Sequence, residues 1–128
     1  MVEYIAYKGL CFTIEWYHDA EGRSQPLEYF LCLPDRMQDK TLYLFKRIGD
    51  FGKINNKKQF RYEGDEIFAF KPQPYRFLCF FVRGRKIIIT NAFMKKSDRL
   101  PAQEKTRAMT IRTDYLRRLK DTTYYETK

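Results

Sequence analysis

Between Arg76 and Phe93 the chain reads RFLCFFV, then RGR, then KIIITNAF: two runs of β-forming apolar residues parted by a short link containing a glycine. Such a link leaves room only for a turn, so the spacing predicts a β-hairpin with strands Arg76–Val82 and Lys86–Phe93. Its register follows from the turn. A two-residue link, Arg83-Gly84, sets Arg76 opposite Asn91, and a three-residue link sets it opposite Ala92. In either case Arg76 lies at the end of the hairpin remote from the turn.

The rest of the chain is built around this unit. Residues Leu10–Tyr17 alternate and favour a first strand, followed by a turn at His18–Arg23 that contains Gly22. Ser24 and Pro26 mark a short helix with Leu27, Phe30 and Leu31 on one face, which Pro34 stops. Asp35 with Gln38 three residues on resembles a capping box. It opens a second helix in which Met37, Thr41, Leu44 and Ile48 recur at helical spacing up to Gly49. Phe51–Gly64, with Lys53, Lys57, Lys58, Arg61, Asn55 and Asn56, reads as a basic loop. Glu66–Phe70 is a further strand. Pro101 suits the first turn of a last helix to about Lys120, with Ala108, Ile111, Tyr115 and Leu119 as its apolar stripe. Lys105, Arg107, Arg112, Arg117 and Arg118 fall on its other faces, and the tail from Asp121 to Lys128 is expected to fray. The fold class is therefore α+β: strand, helical hairpin, three-stranded antiparallel segment, C-terminal helix.

At 128 residues with 44% hydrophobic and 17% aromatic content, the chain has the size and composition of one domain, residues 1–128, with one real core. Its apolar runs are far shorter than the roughly 20 residues a membrane helix needs. The N-terminal MVEYIAYKG carries no apolar signal core, so cytoplasm is the expected location and no membrane partner is expected. Cys11, Cys32 and Cys79 are odd in number and widely spaced, and read as buried small hydrophobes. One histidine and no close cysteine pair give no basis for a metal site, and no cofactor is expected.

Charge is the other strong signal. Twenty-five Lys and Arg against sixteen Asp and Glu leave a net +9, which attracts polyanions and favours an acidic protein partner. The excess sits in Lys46–Arg61, in Lys71–Lys96 and in the last helix. Lys95 and Lys96 leave the hairpin at the Arg76 end, and Lys71 reaches the same end through the Pro72-Gln73-Pro74 connection. Cations converging on one strand end need an anion, and Asp98 is the one carboxylate between Glu66 and Glu104. A phosphate fits that requirement: arginine offers a planar fork for two phosphate oxygens and lysine a mobile point charge. The competing reading is a solvated strand end with scattered charges. Tyr75 and Phe93 flank the cluster and are candidates either for stacking on bases or for rim packing. Lys57, Lys58 and Arg61 add a basic approach, and Asn91 is a polar candidate on the facing strand. His18 reads as incidental, and Tyr124 and Tyr125 as proton donors only if the tail is ordered. Glycine-rich phosphate loops, carboxylate pairs and Ser/His/Asp sets do not occur. Phosphodiester cleavage by such a chain would be metal-free, with the RNA 2′-hydroxyl as nucleophile and the protein supplying position and charge.

The stretch FKPQPYRFLCFFVRGRKIIITNAFMKKSDRLP, residues 70–101, resembles the RelE/ParE toxin superfamily, especially its HigB-like, phage-derived branch. Tyr75-Arg76 opening one strand and Phe93–Lys96 closing the next carry the likeness, and the preceding helical hairpin and following basic helix match in order. The resemblance implies the RelE-like fold and the toxin of a type II toxin–antitoxin pair, with a helix-turn-helix antitoxin encoded beside it. It also implies an endoribonuclease that cuts messenger RNA on the ribosome. Other members inhibit gyrase, so a non-catalytic inhibitor of gyrase or the ribosome, or an inactive remnant, stays open. Residue by residue, Arg76 matches a phosphate-contacting arginine, Lys95 and Lys96 the cation after the last core strand, and Lys71 another basic position. Ile67 and Ala69 stand where RelE enzymes carry lysines, and no tyrosine stands near Ala102, so the general acid and base are unassigned.

Overall fold

The hairpin forms the centre of the sheet. In a computed structural model describing residues 4–125, β5 (Tyr75–Val82) and β6 (Lys86–Met94) pair antiparallel across a three-residue link. Phe77, Leu78, Cys79 and Phe80 of β5 and Ile87, Ile88 and Ile89 of β6 are all 0% exposed. Strands apolar on both faces need cover on both, and the helices supply it. The remaining elements are β1 (Ile5–Lys8), β2 (Thr13–Trp16), α1 (Gln25–Leu31), α2 (Asp35–Phe51), β3 (Phe60–Tyr62), β4 (Phe68–Phe70) and α3 (Ala102–Lys120). The strands form one sheet in the order β1-β2-β6-β5-β4-β3. β2 runs parallel to β6 and every other pair is antiparallel. Phe30 and Leu33, with Leu44, Phe45 and Ile48 of α2, cover Trp16, Phe70, Phe77 and Ile89 on one face. Ala108 and Tyr115 of α3 cover Ala69, Leu78, Phe80 and Ile88 on the other. Each fully buried side chain of this size contributes about 1.5–3 kcal/mol of burial energy. Among the described residues the result is α+β, with a six-stranded mixed sheet and three helices.

Several expectations need correction. Two strands, β1 and β3, were not foreseen. β3 lies inside the segment read as a basic loop and adds to β4 at the sheet edge, and the first strand starts at Thr13 rather than Leu10 because residues 9–12 turn back from β1. Neither expected hairpin register holds along the whole pair. The three-residue link sets Cys79 opposite Ile89, but a bulge at Thr90 then shifts the pairing, so Leu78 faces Asn91 and Arg76 faces Phe93. The Thr90 hydroxyl fills the irregularity: it donates to Asn91 Oδ1 at 2.6 Å and lies 3.2 Å from Leu78 O, the alternative acceptor for its one proton.

Ser24 caps α1 as read, accepting from Leu27 N, whereas α2 starts at Pro34 without a side-chain cap; Gln38 instead donates to Leu31 O and Leu33 O. α2 runs past Gly49 to Phe51 and ends on Gly52, whose positive φ of 84° suits glycine. Leu31 is 61% exposed and Cys32 is exposed, so neither belongs to the core, and Cys11 is only half-buried. Leu119 is 36% exposed, while Arg118, assigned to the solvent faces of α3, is 7% exposed. The tail is packed through residue 125: Tyr124 is 2% exposed, and Tyr125 donates to Glu15 Oε1 at 2.8 Å. Residues 126–128 lie outside the described residues. Among the described residues no helix is long and apolar enough to cross a membrane.

Candidate functional site

Strand alternation decides which cations meet. Ala69 of β4 faces α3, and Arg61 of β3 is its cross-strand partner, so Arg61 lies on the same face. Lys71 is two residues beyond Ala69. Leu78 faces α3, hence so does Arg76 two residues before it; Phe93 is opposite Arg76, and Lys95 is two residues beyond Phe93. All of these therefore share one face, at the end of the sheet where α3 begins. Lys71 N is held there by Gln59 O at 2.8 Å and Lys95 N by Pro74 O at 2.9 Å. The outcome is a shallow hollow floored by Ala69, Arg76 and Phe93 and rimmed by Lys71, Lys95, Glu63 and the 97–101 loop.

Arg76 is 6% exposed. One guanidinium nitrogen donates to Gln73 Oε1 (3.2 Å) and Tyr75 O (2.9 Å), and among the described residues no carboxylate lies within 4.0 Å of it. Burial lowers its pKa, against the more distant pull of Asp98 and Glu63. A buried cation of this kind is costly unless a counter-charge arrives. The Lys71 ammonium donates to Lys57 O at 3.3 Å. Its pKa is lowered, first by burial and then by the Arg76 charge. Among the described residues Lys95 alone of the three has a close acid, Asp98 at 2.9 Å, and this contact holds the Asp98 carboxyl below its usual range. Two of three converging cations thus lack a carboxylate, and an oxyanion placed between them would relieve both.

The other candidates distribute unevenly. Lys96 is exposed and does not line the hollow, because alternation sends it away from Lys95. Tyr75 points to the opposite face from Arg76 and packs edge-on against Tyr29, ring centroids 6.1 Å apart. Asn91 is 0% exposed, so direct contact with RNA is closed to it in this conformation. It donates instead to Glu104 Oε1 (2.9 Å) and Glu104 O (3.3 Å), tying the bulge of β6 to the first turn of α3. Lys57, Lys58 and Arg61 are exposed beside the hollow, where the Lys57 and Lys58 carbonyls accept from Lys71 and Gln73. Tyr124 and Tyr125 belong to a separate cluster with Tyr115, Tyr17 and His18.

Sequence reasoning misses Glu63 and Arg99 in the lining of the hollow and Gln73 beneath it. Glu63 falls in the segment expected as a basic loop, Arg99 in the loop before α3, and Gln73, between two prolines, orients Arg76. For Gln73 a signal existed: it stands three residues before an arginine, within reach across a tight turn.

In this α+β protein four cations, Lys71, Arg76, Lys95 and Arg99, outnumber two carboxylates, Glu63 and Asp98, in a hollow at one sheet end, a charge balance that attracts anions, and the comparisons narrow the class. Residues 28–113 match the family described as phage-derived protein Gp49-like (DUF891). This is more than half the chain and includes every residue of the hollow, and the chain belongs to that family, a branch of the RelE-type toxins whose members are commonly toxins of toxin–antitoxin pairs. Comparison with curated proteins gives no match.

Proposed function

We propose that the chain is a HigB-like toxin of a type II toxin–antitoxin pair, acting as a single domain that cuts messenger RNA on the ribosome. The observation that carries this reading is Arg76: a guanidinium 6% exposed, opening onto a hollow shared with Lys71 and Lys95, with no carboxylate at ion-pair distance among the described residues. Evolutionary convenience aside, burying a charge without its counter-ion makes physical sense where a ligand brings the counter-ion.

In the proposed reaction the 2′-oxygen of a ribose attacks the adjacent phosphorus and the bond to the 5′-oxygen breaks. The products are a 2′,3′-cyclic phosphate and a free 5′-hydroxyl. Arg76 and Lys95 hold the two non-bridging oxygens, whose charge grows in the transition state. Lys71, with its lowered pKa, takes the 2′-hydroxyl proton in its neutral form, and the leaving oxygen is protonated from a lysine ammonium or water. Lys96, Lys57, Lys58 and Arg61 contribute attraction along the strand rather than contact with the reacting phosphate. An acidic helix-turn-helix antitoxin restrains the free toxin.

Mapping cuts on one message with and without translation tests this, alongside Arg76→Ala. The expected result is cuts only during translation, lost in the variant. Translation halted with the message whole would move the assignment to a non-catalytic inhibitor of the ribosome, and intact messages with damaged DNA to a gyrase inhibitor.

A further inference from the structure

The end of the sheet away from the hollow carries a second feature of the surface. There the β1–β2 turn crosses the C-terminus of α2: Cys11 N and Phe12 N both donate to Gly49 O (2.6 and 2.9 Å), and Leu10 N donates to Asp50 Oδ1 (3.2 Å). The approach is so close that a Cβ on Gly9 would lie 2.3 Å from the carbonyl carbon of Gly49. The β5–β6 turn joins them, with Thr13 N donating to Arg85 O at 2.9 Å. This fixed crossing presents Leu10, 84% exposed, and Phe51, 69% exposed, the two most exposed large apolar side chains among the described residues.

At the same end of the sheet, at the two turns and just past α2, lie Lys8, Lys53, Arg83 and Arg85, all exposed and none with a carboxylate within 4.0 Å among the described residues. The acids nearby are already engaged, Asp50 by Tyr7 and Lys46, and Glu15 by Lys86 and Tyr125.

We propose that this tip is a docking knob for an acidic partner protein, with Leu10 and Phe51 as anchors in an apolar pocket and the four cations facing carboxylates at the rim. The identity of that partner as the antitoxin rests on the toxin reading above. A second copy of the chain is disfavoured, because it would set like charges against each other. Nucleic acid would engage the cations but leave the two projecting apolar side chains without purpose, whereas apolar anchors inside a charged rim are what protein interfaces use. The backbone that carries Leu10 is fixed by the crossing before binding, and Phe51 closes the helix that it crosses, so only side-chain rotamers need ordering. β5 spans eight residues between the two ends, which at about 3.3 Å per residue separates the tip from the hollow by roughly 25 Å. A partner seated on the tip therefore restrains the toxin by bulk, keeping it from its large target, and leaves the hollow open.

The test is titration calorimetry of the full chain with the purified protein encoded by the adjoining gene, run beside the translation-dependent cutting assay. The double variant Leu10→Glu, Phe51→Glu is expected to bind at least about 100-fold more weakly. Arg83→Glu with Arg85→Glu should lose about tenfold and flatten the salt dependence. Both should still cut. The charge variant alters only exposed turn residues, so it keeps the test decisive if the apolar variant misfolds. Binding by both variants within about threefold of wild type overturns the proposal, as does absence of a complex with the wild-type chain, or loss of binding to an RNA duplex or phosphatidylserine vesicles while the protein complex survives. Weakened partner binding in a chain that never cuts would keep the docking site and sink the endonuclease reading instead.

Discussion

Arg76 and Arg118 are buried to nearly the same degree, 6% and 7% exposed, and they sit on the same side of the sheet at opposite ends of α3's path. Their surroundings differ in kind. Arg118 donates to Asp114 Oδ2 and to His18 O, both at 2.9 Å, and its guanidinium carbon lies 4.7 Å from the Tyr124 ring centroid. Burial works to lower its pKa, but the Asp114 hydrogen bond and charge override it, and the net shift is upward. Arg76 has a side-chain amide and a carbonyl, both neutral, and its pKa is lowered. A completed charge network locks a structure, whereas an incomplete one awaits a ligand. That difference separates the two arginines by role where burial alone does not.

The largest expected effect falls on the completed side. Arg118→Ala removes the donor to the His18 carbonyl, takes the buried guanidinium from Asp114, which keeps Tyr17 and Arg117, and opens space beneath Tyr124. It should cost about 3 kcal/mol, read by urea unfolding, a discount from the fully buried case because Asp114 is partly exposed. The same substitution at Arg76 should leave stability within about 1 kcal/mol. A loss at Arg76 as large as at Arg118 would collapse the distinction.

Next in size is the functional side of the comparison. Arg76→Ala should reduce translation-dependent cutting by about 100-fold or more, the scale of losing one preorganised donor to a developing oxyanion. Arg76→Met sharpens the point, since it keeps volume and removes a buried charge. It should abolish cutting yet raise stability by about 1 kcal/mol, as replacing unpaired buried charges by hydrophobes can do. A destabilised Met variant would mean that the guanidinium is structural after all.

Lys71 gives a pH prediction in the same hollow. Its ammonium is lost more readily than that of an ordinary lysine because of burial and the Arg76 charge. If neutral Lys71 takes the 2′-hydroxyl proton, cutting rises with pH and levels off at a pH below the free-lysine value of 10.5. Lys71→Arg stays protonated and should lose the reaction while RNA affinity holds, so kcat falls and KM does not. A fully active arginine variant would demote Lys71 to a phosphate contact.

How much of this was legible in the sequence also divides along the two regions. Arg76, Lys71 and Lys95 could be brought together beforehand because strand period and a short turn are local rules. The bulge at Thr90 was not legible, since one extra residue in KIIITNAF leaves the apolar pattern almost unchanged. It moved Arg76 from Asn91 or Ala92 to Phe93 and sent Asn91 inside. β1 and β3 escaped notice because strands of four and three residues carry too few alternations to register. The Arg118 network was hidden for another reason. At three residues from Tyr115 and seven from Ile111, Arg118 falls beside the apolar stripe of α3, but its charge groups it with Arg112 and Arg117; what buries it is Tyr124, from the tail, and residues 17–18, about 100 residues away in the chain. Long-range closure of this kind leaves no periodic signature.

The smallest effect probes the completed network from its edge. His18 stacks between Tyr4, ring centroids 4.0 Å apart, and Tyr124, at 4.3 Å. Its pKa is lowered, chiefly by burial and also by the Arg118 charge, against the Asp19 carbonyl and the Asp19 and Glu15 charges, which raise it. A histidine with a folded pKa below its unfolded value of 6.5 gains its proton first in the unfolded chain. Stability should therefore hold above that value and decline as pH falls from it toward the folded pKa, then level off as far as this group is concerned. His18→Phe keeps the stack without a proton site and should flatten that stretch of the stability profile. A slope unchanged in the Phe variant would assign it to another group and leave His18 tied to the network through its backbone carbonyl, which accepts from Arg118.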